Sequence, residues 1–175
     1  MNAKWSVLAV YQDATARQTA VSFCDALVQR FWPETGFDLD WQEWENLRDP
    51  AAAQHATTRA KEAKIIIIST SITATIDPFV ENWLEFALSK RREREGILVG
   101  LSPQGDLPQS ARAAATQQYL RKLAHQHGLD YLASVPQSLS PRVPETIEAC
   151  TLRATQVSSV LDTILHRPPV PPRLL

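Results

Sequence analysis

Four isoleucines in a row, at positions 65–68 between Lys64 and Ser69, constrain this chain more than any other feature. A run this short and this β-branched fits a strand covered on both faces; a buried helix would need more residues, and branched Cβ atoms suit the pleat. A strand buried on both sides needs helices on both sides, which points to a parallel sheet. Residues 5–11 (WSVLAVY) and 97–101 (ILVGL) are runs of the same kind. Phe37, Leu39 and Trp41 instead alternate with Asp38, Asp40 and Gln42, the period-two pattern of a half-covered strand. Residues 129–133 (LDYLA) are a weaker, mixed strand.

Helical stripes fill the intervals. Ala16, Ala20, Phe23, Cys24, Leu27, Val28 and Phe31 recur at spacings of three and four, and Pro33 and Gly36 end that helix. Asp49-Pro50 is a cap and first-turn pair for a helix with the small-residue stripe Ala52, Ala56, Ala60 and Ala63. Asp77-Pro78 opens the next, with the stripe Phe79, Val80, Trp83, Leu84, Ala87 and Leu88. Further helices are predicted over 109–126, stopped by Gly128, and over 144–166, with the stripe Ile147, Cys150, Ala154, Val157, Leu161 and Ile164. Residues 167–175 hold four of the twelve prolines and read as a tail, leaving 1–166 as a single domain.

Strands alternating with helices imply right-handed crossovers between parallel strands. Placing the alternating second strand and the mixed fifth at the edges gives a doubly wound α/β sheet of five strands in the order 2-1-3-4-5 with a long C-terminal helix, the flavodoxin- and receiver-like arrangement. The length of 175 residues suits one domain with a proper core. A net charge of −1 argues against a nucleic-acid or membrane-surface role for the whole protein, and no apolar run is long enough to span a bilayer. The first residues lead straight into a strand-like run, so a cytoplasmic location without an export segment is expected. Cys24 and Cys150, both on apolar helix faces, read as reduced, buried thiols.

In such sheets a ligand sits at the carboxyl ends of the strands, where the strand order reverses. That places Asp13 and Thr15 beside Ser69 and Ser71, with Ser102 following the fourth strand on the same rim. Hydroxyls next to helix N-termini suit a small anionic ligand such as a phosphate. The same residue types also cap helices and close turns, and the pattern is compatible with both roles. No G-x-G-x-x-G, P-loop or G-x-S-x-G occurs, and the five glycines form no cluster near the first crossover. Residues 13–17 match a flavin-type phosphate loop poorly, so no cofactor is evident. His125 and His127, two apart, point to different helix faces and form no metal pair. The run Lys90 to Arg94 reads as a solvated helix end, and Trp32, Trp41 and Trp44 as core packing or a partner surface.

The element order resembles response-regulator receiver domains, with Asp13 matching one acid and Ser102 the hydroxyl after the fourth strand. Ser69 stands where the phospho-accepting Asp belongs, and 134–136 supply no lysine, so the resemblance implies a degenerate receiver without phosphotransfer. Residues 65–88 also look somewhat like TIR domains, which include NAD hydrolases with a helix-borne catalytic Glu. That resemblance makes Glu85 or Glu81 the catalytic candidate, although Phe86 occupies the usual spacing from the tryptophan. The expectation drawn from all this is a regulatory or protein-interaction domain without a complete catalytic set, with a protein partner or a second copy of itself through the last helix. The alternative is a binder or weak hydrolase of a nucleotide-like, NAD-type ligand at the carboxyl edge of the sheet.

Overall fold

A computed structural model describes residues 4–31, 35–71, 75–92, 95–102 and 111–133, with side chains of 111–113 excepted. Its five strands are β1 (Lys4–Tyr11), β2 (Gly36–Glu43), β3 (Ile65–Ser69), β4 (Ile97–Leu101) and β5 (Asp130–Ala133). They pair in parallel throughout, in the order β2-β1-β3-β4-β5. The four helices are α1 (Ala14–Phe31), α2 (Pro50–Glu62), α3 (Pro78–Ser89) and α4 (Ala111–Gln126). A 3₁₀ turn, Trp44–Arg48, which the sequence pattern does not announce, joins β2 to α2. The helix predicted over 144–166 and the tail at 167–175 lie outside the described residues.

The strand character explains the order. Every residue of β3 and of β4 is buried, whereas none of β2 or β5 is fully so. Strands with continuous apolar runs therefore take the middle, where helices cover both faces, and the half-polar ones take the edges. On one face Leu8, Val10, Ile66, Ile68 and Leu98 pack against α2, α3 and α4. The small stripe Ala56, Ala60 and Ala63 lets α2 lie close to that face. Trp44 and Trp83 join the same core, and the Trp83 indole donates to Thr57 Oγ1 at 3.1 Å and to Ala53 O at 3.3 Å, linking α3 to α2.

Trp41 on β2 is half-buried under the Arg17 guanidinium, and Trp32 lies outside the described residues. On β2 the acidic positions also have a use. Asp38 and Asp40 meet Arg59 of α2 at 2.8 and 3.1 Å, and His55 Nε2 lies 2.9 Å from Asp40. Cys24 is buried on α1, where desolvation first and the neighbouring Asp25 second push its thiol up to about 12, leaving it protonated and inert. Among the described residues no helix is long and apolar enough to cross a membrane.

The run after α3 differs from its sequence reading. Arg91 is not a solvated cation: its guanidinium donates to the carbonyls of Ala60 and, at 2.8 Å, Ala63, and to Glu95 O at 2.7 Å. It closes the C-terminal end of α2 by supplying donors to carbonyls that the helix leaves unpaired. Gly96 permits this, since its φ of +142° suits glycine and a Cβ there would lie 2.9 Å from the Arg91 guanidinium. Charge sequence alone gave no hint of the contact, because Ala60 and Arg91 meet only through the sheet-side packing of α2 and α3.

Candidate functional site

The carboxyl rim of the sheet is built where β1 and β3 end. β1 turns into α1 through two residues, Gln12 and Asp13. Asp13 Oδ1 accepts the Ala16 N–H at 2.8 Å, and its carbonyl accepts the Arg17 N–H at 2.8 Å, so Asp13 is the N-cap of α1. Gln12 bridges the two strand ends: its N–H donates to Ser69 O at 3.1 Å, and its Oε1 accepts the Ser71 N–H at 2.9 Å. Ser69 is fully buried and donates to Ala16 O at 2.7 Å, pinning the first turn of α1 to β3. Thr70, also buried, donates through its N–H and hydroxyl to Leu101 O and ties β3 to β4.

Ser102 follows β4, and its hydroxyl accepts from Gln117 Nε2 of α4 at 3.4 Å. Gln117 Oε1 in turn accepts the Tyr131 hydroxyl of β5. Burial pushes the Tyr131 phenol up to about 12, so it stays protonated and keeps donating. Gly100 leaves room for this chain, because a Cβ there would stand 2.6 Å from Tyr131 Oη and 2.8 Å from Gln117 Oε1. Both are ends of movable side chains. Gly100→Ala should therefore cost only about 1 kcal/mol, by displacing that hydrogen bond, and urea unfolding measures it. A loss above about 3 kcal/mol would mean that the strand itself had shifted.

The structure thus brings Asp13, Thr15, Ser69, Ser71 and Ser102 to one rim. Asp13 and Ser69 have their side chains engaged with α1; Thr15 is exposed on its first turn; Ser71 and Ser102 are half-buried at the ends of β3 and β4. Glu85 is not among them. It lies seven residues into α3, about 10 Å along a helix running away from the rim. There it accepts the Tyr119 hydroxyl at 3.1 Å, beside an open groove of about 450 Å³ also lined by Lys122, Gln126 and His127. Desolvation, and secondarily Glu85, raise the Tyr119 phenol further, so it too remains a donor. Among the described residues no cluster of three His, Cys, Asp or Glu could hold a metal. Gln117 and Tyr131 escape sequence reasoning, and Gln12 enters it only as part of the first loop, since their contacts join segments far apart in the chain and no periodic pattern marks them.

A five-stranded parallel sheet in this order, with its open rim between β1 and β3, defines the flavodoxin-like class of doubly wound folds. Solved structures bear this out. An oxidoreductase from Corynebacterium diphtheriae matches with a TM-score of 0.61 at 16% identity, over 94% of this chain and 99% of that one. An azoreductase from Bacillus anthracis str. Sterne matches with a TM-score of 0.54 at 11% identity, over 93% and 100%. An NAD(P)H:quinone oxidoreductase from Methanothermobacter marburgensis matches with a TM-score of 0.53 at 7% identity, over 93% and 98%. No family model and no curated protein matches the chain.

These likenesses correct two expectations. The reading as a regulatory or interaction domain without catalysis gives way, because the structural neighbours are oxidoreductases over nearly their whole length. The expectation that no cofactor is evident gives way with it, since one neighbour takes NAD(P)H by name. Both errors have one physical source. A missing glycine-rich loop does not exclude a cofactor, because a doubly wound sheet binds ligands outside the carboxyl ends of its strands, at a place set by the strand order. Receiver and TIR domains agree with the observed fold only loosely.

Proposed function

We propose that this protein is a flavodoxin-like oxidoreductase that holds a flavin at the carboxyl rim of its sheet and passes electrons from a reduced nicotinamide to an organic acceptor of the quinone or azo class. The observation that carries this reading is the match of the whole 2-1-3-4-5 architecture to oxidoreductases, with coverage of 98–100% of their chains. The rim supplies part of what a flavin needs. Ser71 and Ser102, past the ends of β3 and β4, and the Gln117 amide of α4 have the donor and acceptor chemistry for the polar edge of an isoalloxazine or a carboxamide, with exposed Thr15 on the first turn of α1.

A flavin phosphate does not fit at α1, whose capping position Asp13 already fills. The flavin would supply the redox chemistry; the protein supplies binding and exclusion of water.

Flavin fluorescence titrations of the full chain, followed by NADH and NADPH oxidation with a quinone as acceptor, test the reading. Quenching that saturates, and nicotinamide oxidation that depends on added flavin, are expected. A ligand present at a hundred times its Kd should also stabilise the fold by about 2.7 kcal/mol. If neither flavins nor nicotinamides bind or shift the melting temperature, the reading is wrong.

A further inference from the structure

We infer that Asp13 is a specificity-determining residue that keeps phosphate away from α1, so that the rim takes a phosphate-free flavin in preference to the flavin monophosphate. The inference rests on the flavin reading above for its ligand, and on the geometry of α1 for its cause.

The N-terminus of a helix attracts anions because its first N–H groups lack partners and the peptide dipoles converge there. In this chain an anion is already in place. The Asp13 carboxylate takes the Ala16 N–H at 2.8 Å, and a phosphoryl group approaching the same N–H would meet a like charge at hydrogen-bond range. Moving α1 does not relieve the conflict. Ser69, fully buried, holds Ala16 O at 2.7 Å, and Ala16 itself is fully buried, so the first turn is fixed to β3. Beside it, Gln12 spans from the end of β1 to the Ser71 N–H at 2.9 Å. At the junction of β1 and β3 the Ala16 and Ser71 N–H groups are thus already engaged, by Asp13 and Gln12. A ligand must lie towards β3 and β4, with its ring polar edge at Ser71 and Ser102 and no anion at α1.

Asp13→Ser separates charge from folding, because serine also caps a helix and the variant keeps its first turn. Asp13→Asn removes the charge at constant shape. Thermal unfolding of the full chain in potassium phosphate against potassium chloride of equal ionic strength is compared between wild type and variants, which cancels the general stabilising effect of phosphate on any protein. D13S is expected to gain a saturable phosphate-dependent rise in melting temperature that wild type lacks, with D13N in between.

Riboflavin and flavin mononucleotide titrations then read the preference. Wild type should bind riboflavin at least as tightly as the monophosphate, and D13S should shift the ratio towards the monophosphate by about tenfold, the scale of one charge-assisted hydrogen bond. Equal phosphate responses in wild type and D13S, or a wild type that prefers the monophosphate, would overturn the inference. Failure of both flavins with the phosphate difference intact would instead remove the flavin reading and leave Asp13 as the group that excludes phosphate.

Discussion

Ile66→Ala is expected to lower the unfolding free energy by about 2–5 kcal/mol, the range for truncating a fully buried branched side chain. Ile66 is 1% exposed in the central strand and packs in the cluster that joins β1 and β4 to α2, α3 and α4. Its neighbours cannot close the gap, because β3 is hydrogen-bonded on both sides and the backbone is held in register. Ile66→Val, which removes one methyl group, should cost about 0.5–1.5 kcal/mol. Denaturant unfolding of the three proteins measures both steps. A loss below about 1 kcal/mol for the alanine variant would show that helices α2–α4 repack over the site and that this face is softer than its burial implies.

Arg91→Ala has the second largest effect, about 2–3 kcal/mol, from a residue that the charge pattern places in solvent. Its guanidinium serves the carbonyls of Ala60, Ala63 and Glu95, and the Ala60 and Ala63 side chains are buried. Removing it leaves acceptors at the end of α2 without a donor, which costs more than the hydrogen bonds contribute when made. Arg91→Lys should recover only part of the loss, because an ammonium is a point donor and lacks the planar fork that reaches several carbonyls at once. Urea unfolding of both variants checks this. A change within about 0.5 kcal/mol for the alanine variant would return Arg91 to the class of ordinary surface residues.

The two central variants also separate what kinds of information the chain carries. The isoleucine run is legible because burial on both faces demands a continuous apolar, β-branched composition that helices and edge strands do not share. The alternation of Phe37, Leu39 and Trp41 placed β2 at an edge for the same reason, and the stripe on α3 announced Val80, Trp83, Leu84, Ala87 and Leu88 as buried. At the rim, sequence reasoning named Asp13, Thr15, Ser69, Ser71 and Ser102, and all lie at the strand ends or on the first turn of α1. What each does there was open. A serine after a buried strand reads alike whether it meets a ligand or, as Ser69 does, donates to the backbone of another helix. Glu85 was singled out by resemblance to domains with a helix-borne catalytic Glu, and α3 takes it away from the rim. The functional reading failed for a related reason. A glycine-rich loop is a local pattern in the chain, whereas the rim is assembled from the separated ends of β1, β3 and β4.

By itself, then, the sequence determined the five strands, the four helices from α1 to α4 and their buried faces through periodicity and β-branching within each segment, and the order of the parallel sheet through the contrast between buried and half-polar strands. Tertiary structure alone decided the partners across segments: Gln12 with Ser71, Ser69 with Ala16, Gln117 with Ser102 and Tyr131, Arg91 with Ala60 and Ala63. Hydrophobic burial is set by a residue's own chemistry and its place in the local period. A hydrogen bond needs two groups within about 3 Å, and only the pairing of strands far apart in the chain brings them there.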